Sequence, residues 1–286
     1  MKVKKAIIPC AGLGTRFLPI TKVVAKELLP IVDTPALSYI VDEAVDSGIE
    51  EILIVISPQK EDIKRLFEPN KPLNARLTAT GRTEELALAN KRVNAEISFA
   101  TQVEMTGNGD AIALGKEFAN GEPFAVLFGD DVMYGEIPVT KQLIDAYEKS
   151  GGSSIVGCQR TSEEVARRCG VMIAKEPTVG NLTKIDGIEE KPQGELPSQL
   201  VSLGRFVLTA DIFDVLERTP RTNGEAYLTD AITLLAQEGK SVYACEFEAR
   251  RYDIGNKEGY LEATVEFALR NDELKKKFQS YLTNRE

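Results

Sequence analysis

The chain of 286 residues contains no histidine. Histidine is the most common general base in enzymes and a frequent zinc ligand. Its absence excludes the Ser-His-Asp and Cys-His catalytic arrangements and most catalytic zinc sites. An enzyme with this sequence must therefore take its reactivity from the substrate or from a bound metal.

Cysteines are few, and none belongs to a CxxC pair. Cys10, Cys158, Cys169 and Cys245 are scattered along the chain, which predicts reduced thiols in a cytoplasmic protein. No apolar run approaches the roughly 18 residues of a membrane helix, and the basic N-terminus leads directly into a short strand pattern. We therefore expect neither a membrane span nor a cleaved signal peptide.

Positive charge is also in short supply. The 35 Lys and Arg residues against 44 Asp and Glu residues give a net charge of −9, which argues against nucleic acid or an anionic membrane as a partner. A small phosphorylated ligand remains compatible. One cation about 4 Å from a phosphate is worth on the order of 4 kcal/mol at an effective dielectric near 20, so local cations matter more than net charge.

Strand and helix patterns alternate over the first two-thirds of the chain. Strand patterns cover 5–9, 51–56, 95–101, 123–131 and 153–159, helical patterns cover 34–48, 61–67, 83–93 and 138–149, and an irregular connection covers 68–80. Repeated βαβ units predict an α/β, Rossmann-like fold with a mixed, mainly parallel sheet flanked by helices. Ligands of such folds bind at the carboxyl ends of the strands, where two glycine loops and Asp130-Asp131 fall.

The pattern changes after residue 160. Shorter segments typical of antiparallel strands cover 169–174, 181–192 and 202–209. Helical patterns near 211–217 and 227–238, a strand pattern at 241–247 and a helical tail follow. We therefore expect a smaller, more antiparallel part to share an interface with the first.

A glycine-rich segment, CAGLGTRFLP, follows the first strand pattern. A dinucleotide loop requires a small residue where Phe17 stands, and the P-loop spacing is absent. The third interpretation is a turn whose backbone N–H groups face a triphosphate, with close approach permitted by Gly12 and Gly14. Arg16 and Lys26 would supply positive charge. A plain turn with exposed basic residues is the alternative that the loop alone leaves open.

Longer motifs carry a resemblance to a known family. The segment AGLGTRFLPITKVVAKELLPIVDTP resembles the signature of the sugar-1-phosphate nucleotidyltransferases. Its Lys26-Glu27 pair is similar to the uridylyl-transferring members, whereas thymidylyl-transferring members usually carry Lys-Gln. Further motifs follow in order: GDD at 129–131, CGV at 169–171, EEKPQGELPSQLVSLGRFVLTADIF at 189–213, LTDAI at 228–232 and YDIGNKEGYLEATVEFAL at 252–269.

The resemblance implies a reaction that suits a chain without histidine. The expected activity transfers a uridylyl group from UTP to glucose 1-phosphate with Mg²⁺ and releases pyrophosphate. The attacking phosphate oxygen is already largely ionised at neutral pH, because the second phosphate pKa is near 6. Catalysis then depends on cations and positioning.

The resemblance also implies roles for individual residues. Asp130 and Asp253 would hold Mg²⁺, Arg16 and Lys26 would bind the triphosphate, and Lys191 would bind the sugar phosphate. The other residues would be, at the nucleotide, Ala11, Gly12, Gly14, Thr15, Glu27, Gln102 and Gly107, and, at the sugar, Gly170, Glu190 and Gly204.

The resemblance further implies a division of the chain. A catalytic domain would cover 1–270, of which 1–160 mainly binds the nucleotide and 161–255 mainly binds the sugar phosphate. Residues 256–286 would form a C-terminal helical tail, and the chain would form a homodimer or homotetramer.

Three departures from the family pattern leave alternatives open. The sequence reads GNGDA where the family has GLGHA, AKE for PKE, and EAYLTD for EIQLTD. Asp110 of GNGDA could cap the following helix or influence the choice of nucleotide. A related transferase that uses dTTP or CTP, and a non-catalytic protein that binds nucleotide sugars, remain alternatives.

Overall fold

The computed structural model describes residues 1–284. Within that range the strands are β1 (Lys5–Pro9), β2 (Pro30–Ile31), β3 (Thr34–Pro35), β4 (Glu51–Ile56), β5 (Glu96–Thr101), β6 (Phe124–Leu127), β7 (Asp131–Tyr134), β8 (Ser154–Arg160), β9 (Gly170–Ala174), β10 (Leu182–Glu190), β11 (Leu200–Leu208), β12 (Val242–Glu246) and β13 (Arg250–Asp253). The α-helices are α1 (Ala36–Asp46), α2 (Lys71–Ala79), α3 (Thr83–Ala89), α4 (Asn108–Ala113), α5 (Lys116–Ala119), α6 (Val139–Lys149), α7 (Glu163–Ala166), α8 (Asp211–Leu216), α9 (Leu228–Gln237), α10 (Lys257–Arg270) and α11 (Lys275–Thr283). Short 3-10 helices cover Thr15–Phe17, Ile20–Lys22, Lys26–Leu28 and Pro58–Leu66.

One mixed sheet organises the molecule. Its nine strands lie in the order β5-β4-β1-β6-β11-β8-β12-β10-β9. The first four are parallel, and so is the β8–β12 pair, whereas β11, β10 and β9 pair antiparallel with their neighbours. The α/β fold with a mixed sheet is confirmed, and the parallel and antiparallel strands share a single sheet.

Both faces of the sheet are covered, as the continuous apolar run of β1 predicts. Ile7 and Ile8 are both fully buried, but they belong to different hydrophobic clusters because successive side chains in a strand point to opposite faces. One cluster contains residues of α1 and α6, and the other contains residues of α8 and α9. This two-sided burial leaves the carboxyl ends of the strands as the open edge.

The irregular connection predicted for 68–80 is wrong, because α2 occupies most of it. The side chain of Asn70 accepts a hydrogen bond from the Leu73 N–H at 3.2 Å, and Pro72 lies in the first turn. Both features favour a helix start. Asparagine and proline are typical of loops, but here they begin a helix.

The C-terminal tail is helical where the structure describes it. Asn256 caps α10 by accepting a hydrogen bond from the Gly259 N–H at 2.9 Å, and α11 follows after a short turn. Residues 285–286 of the predicted tail lie outside the described residues. None of the helices in residues 1–284 combines the length and the apolar character that a bilayer crossing requires.

Candidate active site

A cleft of about 1130 Å³ collects every site residue that the sequence predicts. We call the residues that follow β1, β5 and β6, together with Asp253 at the end of β13, its parallel side. We call those of β9, β10, β11 and α9, together with Lys191 just after β10, its antiparallel side. The predicted residues that line it are Ala11, Gly12, Gly14, Thr15, Arg16, Lys26, Glu27, Gln102, Gly107, Asp130, Gly170, Glu190, Lys191, Gly204 and Asp253. Segments as far apart in sequence as Ala11 and Asp253 thus meet at one edge of the sheet.

The glycine-rich segment begins where β1 ends. The Cys10 N–H donates to the Val55 carbonyl at 2.7 Å, which continues the β1–β4 pairing into the loop. Arg16 is exposed on a short 3-10 helix, and it forms no ion pair with a carboxylate of residues 1–284. Its guanidinium is therefore available to an anion in the cleft.

Lys26 and two carboxylates form the charged centre of the parallel side. The Lys26 Nζ lies 2.6 Å from Asp130 Oδ2. A methyl group placed on Gly255 would lie 2.8 Å from Asp130 Oδ2 and 3.0 Å from Asp253 Oδ1, so the two carboxylates converge beside its backbone. Two acidic groups and one cation therefore share a small volume.

Ionisation in this cluster follows from its pairing. Burial opposes the charge of Asp130, but the Lys26 ammonium outweighs it and lowers the pKa of Asp130 below its usual value. Burial likewise opposes the charge of Lys26, yet the carboxylates of Asp130 and Glu27 raise the pKa of Lys26. Both partners of the ion pair are charged at neutral pH.

The Asp130–Asp253 pair fits a magnesium ion that is shared with a phosphorylated substrate. Mg²⁺ prefers hard oxygen ligands and usually binds through one or two carboxylates, with phosphates and waters completing its shell. Within residues 1–284, no group of three or more acidic or cysteine side chains is placed to hold a metal alone. The donor set suits a shared ion rather than an all-protein cage.

Asp131 and Gly204 illustrate a constraint that the motifs do not express. Asp131 is buried, and the Arg251 Nε donates to its Oδ1 at 2.7 Å. Burial raises the pKa of Asp131 to about 6, and Arg251 opposes that rise. Gly204 has a φ of 69°, and a methyl group there would lie 2.2 Å from Asp131 Oδ2. Glycine at 204 is therefore required by the Asp131 carboxylate as well as by the backbone.

A buried ion pair beneath this cluster was not predicted. Arg205 and Glu43 are both buried, with Arg205 Nη2 at 2.8 Å from Glu43 Oε2. The same nitrogen donates to the Asp131 carbonyl at 2.6 Å. The pair therefore fixes the backbone of the turn that carries both aspartates. Nothing in the sequence connects these two residues, which are 162 positions apart.

The antiparallel side presents a less constrained cation. Lys191 is exposed, has a φ of 48°, and its Nζ lies 3.7 Å from Glu190 Oε1. The Thr229 hydroxyl donates to Glu190 Oε2 at 3.3 Å. Burial raises the pKa of Glu190, and Lys191 opposes the rise. The arrangement offers one mobile positive charge beside an oriented carboxylate.

The second glycine loop packs against the segment before α9. The Gln102 side chain, which is buried, donates to the Gly107 carbonyl at 3.0 Å. Gly107 has a φ of 103°, and a methyl group there would lie 2.3 Å from the Ala226 carbonyl oxygen. Both the backbone conformation and the contact require glycine at this position.

Asp110 lies in the first turn of α4, as the helix interpretation predicts, but the prediction that it caps the helix is wrong. No side chain caps the start of α4, and the Asp110 carboxylate accepts hydrogen bonds from Arg221 at 2.7 and 3.2 Å. Asn108 provides a helix contact instead, because its Oδ1 accepts from the Leu228 N–H at the start of α9 at 2.9 Å. Asp110 does not line the cleft. Both departures in GNGDA tie this loop to the segment that precedes and begins α9.

Comparison with known proteins shows the family to which this chain belongs. The chain belongs to the nucleotidyl transferase family, whose sequence profile matches residues 5–269. Among curated proteins, it is 44% identical over 285 residues to UTP–glucose-1-phosphate uridylyltransferase 1 of Staphylococcus saprophyticus, covering 99% of this chain and 98% of that protein. It is 43% identical to the UTP–glucose-1-phosphate uridylyltransferase of Streptococcus pyogenes, covering 98% and 94%.

Solved structures of UDP-glucose pyrophosphorylases resemble this chain over nearly its whole length. UDP-glucose pyrophosphorylase from Acinetobacter baumannii superimposes with a TM-score of 0.92 at 33% identity, covering 99% of this chain and all of that chain. A UDP-glucose pyrophosphorylase complexed with UDP-glucose superimposes with a TM-score of 0.83 at 35% identity, covering 94% of this chain and all of that one.

Proposed function

We propose that this chain transfers a uridylyl group from UTP to α-D-glucose 1-phosphate, giving UDP-glucose and pyrophosphate. The proposal rests on one observation. A cleft brings Arg16 and Lys26, on the parallel side with two converging carboxylates, together with Lys191 on the antiparallel side. The near full-length similarity to UTP–glucose-1-phosphate uridylyltransferases supports the choice of both substrates.

No general base would be needed, because the attacking phosphate oxygen is already ionised, and catalysis would depend on cations and positioning. Arg16 and Lys26 would bind the triphosphate, and Lys191 would bind the sugar phosphate. This would bring an already ionised phosphate oxygen in line with the α-phosphorus. The electrostatic repulsion between two polyanions is the main barrier to their approach, and fixed positive charge reduces it.

Asp130 and Asp253 would hold Mg²⁺. When bound, the ion would supply positive charge that offsets the charge of the phosphate oxygens. Lys26 lies 2.6 Å from Asp130 Oδ2, so its ammonium would divide its hydrogen bonds between that carboxylate and the triphosphate. Asp131 would remain paired with Arg251 and would support the turn.

The remaining residues would recognise the two substrates. The nucleoside end of UTP would contact backbone and side-chain groups of the parallel side, namely Ala11, Gly12, Glu27, Gln102 and Gly107. Gly14 and Thr15 would contact the nucleotide from the same glycine-rich segment. The hexose would contact Gly170, Glu190 and Gly204, with Lys191 on its phosphate. Glu190 suits sugar hydroxyls because an ionised carboxylate is an acceptor only.

We also propose the wider organisation expected from the sequence. Residues 1–160 would mainly bind nucleotide and 161–255 mainly sugar phosphate, within a catalytic domain of 1–270 followed by the tail of 256–286. The protein would work in the cytoplasm as a homodimer or homotetramer. Light scattering at micromolar concentration would test the assembly.

A substrate matrix tests the proposed activity. The protein is incubated with Mg²⁺, one of UTP, dTTP or CTP, and one of several hexose 1-phosphates, and pyrophosphate release is measured. We expect UTP with glucose 1-phosphate to give the highest kcat/KM. A higher value with dTTP or CTP would instead indicate a related transferase. Binding of UDP-glucose without pyrophosphate release in any combination would indicate a non-catalytic protein.

A further inference from the structure

A buried lysine lies directly behind the glycine-rich loop. The side chain of Lys60 is 7% exposed and that of Glu27 is 1% exposed. The Lys60 Nζ donates to Glu27 Oε1 at 2.8 Å, to Glu27 Oε2 at 2.7 Å and to the Cys10 carbonyl at 2.7 Å. An ammonium group has three N–H donors, so Lys60 has an acceptor for each of them.

The local backbone places this ammonium where it is. Lys60 lies inside the 3-10 helix that follows β4, at a point where the backbone leaves helical geometry, with φ of −113° and ψ of 23°. The helix thus turns the lysine towards the end of β1. There it meets Cys10, whose own N–H is bonded to β4. Both the N–H and the carbonyl of Cys10, immediately before Ala11 and Gly12, are therefore hydrogen-bonded.

Burying this ion pair costs free energy, so stability alone does not explain its presence. Taking two charges out of water carries a large desolvation penalty, and a well-packed apolar pair of similar volume is often as stable. Burial raises the pKa of Glu27, and the Lys60 and Lys26 ammonium groups oppose that rise. Glu27 is therefore stabilised in its charged form by a lysine of the cleft and by the lysine behind it.

Only one member of the pair reaches the cleft. Glu27 lines it together with Ala11 and Gly12, whereas Lys60 does not. Each carboxylate oxygen has two lone-pair sites, so Glu27 can accept from Lys60 and still accept from a ligand hydroxyl. Lys60 fixes which way those remaining lone pairs point. Its influence on a ligand must pass through Glu27 and the Cys10 backbone.

We propose that Lys60 is a positioning residue for the nucleoside end of the nucleotide. It holds the Glu27 carboxylate and the Cys10–Gly12 backbone in the geometry that receives the ribose and base, without touching them. This inference rests on the proposed function, because it takes UTP as the ligand of the parallel side.

The test compares Lys60→Met, the conservative Lys60→Gln and the double variant Glu27→Gln/Lys60→Met, with Lys64→Met as the control. Lys64 lies on the same 3-10 helix, but it is 33% exposed and pairs with Glu61. Lys60→Met leaves a buried carboxylate unpaired and can fail to fold. The double variant removes both charges, so it leaves no unpaired buried charge and allows UTP binding to be measured if Lys60→Met does not fold.

Calorimetric binding of UTP and of inorganic tripolyphosphate provides the readout. We expect the double variant and folded Lys60→Met to bind UTP about 10- to 100-fold more weakly, the effect of losing a hydrogen bond to a charged group. Lys60→Gln should lose less, because its amide can donate to Glu27. Tripolyphosphate, which lacks the nucleoside, should bind all variants within about twofold of wild type, as should UTP to Lys64→Met.

Three results would overturn the proposal. One is wild-type UTP affinity in a folded double variant, which would make the pair purely structural. Another is an equal loss for tripolyphosphate, which would place the effect at the phosphates. The third is wild-type protein that does not bind UTP. A wild type that binds UTP without releasing pyrophosphate would refute the proposed activity, and the Lys60 comparison would still be decided by binding.

Discussion

The two sides of the cleft hold their cations differently. On the parallel side, Lys26 is 15% exposed and lies 2.6 Å from Asp130 Oδ2. On the antiparallel side, Lys191 is 59% exposed and lies 3.7 Å from Glu190 Oε1. The carboxylates differ accordingly, since Lys26 lowers the pKa of Asp130 against the effect of burial, whereas burial prevails and raises the pKa of Glu190.

Different constraints fix these cations. Lys26 is positioned by a close ion pair in a partly buried cluster. Lys191 is positioned by its backbone, which has the φ of 48° that non-glycine residues rarely adopt and which is held by a hydrogen bond from its N–H to the Cys169 carbonyl at 3.0 Å. Substitutions on the parallel side should therefore disturb several charges together, while Lys191 can be removed almost alone.

The largest expected effect is on the carboxylate pair. Asp130→Asn and Asp253→Asn should each lower kcat by about 100-fold or more, because metal affinity and activity already fall 10- to 100-fold when a group that only supports a ligand is lost. Steady-state kinetics at saturating Mg²⁺ measure this. The melting temperature should stay within about 4 °C, roughly 1–2 kcal/mol for a chain of this size.

The exposed Asp272→Asn serves as the control for the carboxylate pair. If a variant of Asp130 or Asp253 retained wild-type kcat, that residue would not belong to the metal site. The parallel side would then not depend on its carboxylates in the way proposed here.

Removing the cation of the antiparallel side should change the KM of one substrate only. Lys191→Ala should raise KM for glucose 1-phosphate by about 10- to 100-fold, since a hydrogen bond to a charged group is lost, and should change KM for UTP by less than about twofold. Initial-rate kinetics with each substrate varied in turn give both constants. Lys175→Ala is the matched control, because Lys175 is similarly exposed and pairs with Asp186. Equal increases in both constants would show that Lys191 supports the fold or the triphosphate.

Sequence patterns predicted the features that depend on local chain order. Apolar runs located β1, β4 and β5, and the polar groups just after strands placed Asp130 and both glycine loops at one edge of a sheet. These predictions succeed because the carboxyl ends of parallel strands meet wherever the pairing continues. The family motifs supplied the contacts from the antiparallel half.

Features that depend on distant partners were missed. Lys60 and Arg205 look like ordinary surface cations in the sequence, because only the tertiary contacts with Glu27 and Glu43 bury them. Charged residues are almost never fully buried without such a partner. The strand pair β7–β13 was missed for a related reason, since its strands are four residues each and are separated by more than 100 positions.

A smaller effect should appear in the pH dependence of stability. The pKa of Glu190 is raised in the folded state by burial, so the folded protein binds this proton more tightly than the unfolded chain. That contribution to stability is present below the unfolded pKa and is lost as pH rises through the folded pKa. Glu190→Gln cannot ionise, so it should melt slightly above wild type at pH 7, and the difference should shrink towards pH 4. The exposed Glu189→Gln is the control, and an offset that is constant with pH would contradict the assignment.

The smallest expected effect belongs to Asp110, which lies beside the parallel side but turns away from it. Its ion pair with Arg221 is partly exposed, and pairs at the surface are worth about 0–1 kcal/mol. Asp110→His should therefore lower the melting temperature by no more than about 4 °C. The relative kcat/KM values for UTP, dTTP and CTP should be unchanged, because Asp110 does not line the cleft. Arg221→Gln should give the same small loss, and the double variant should be no less stable than either single one. A changed nucleotide ratio in Asp110→His alone would place this carboxylate in nucleotide selection and extend the parallel side to the start of α4.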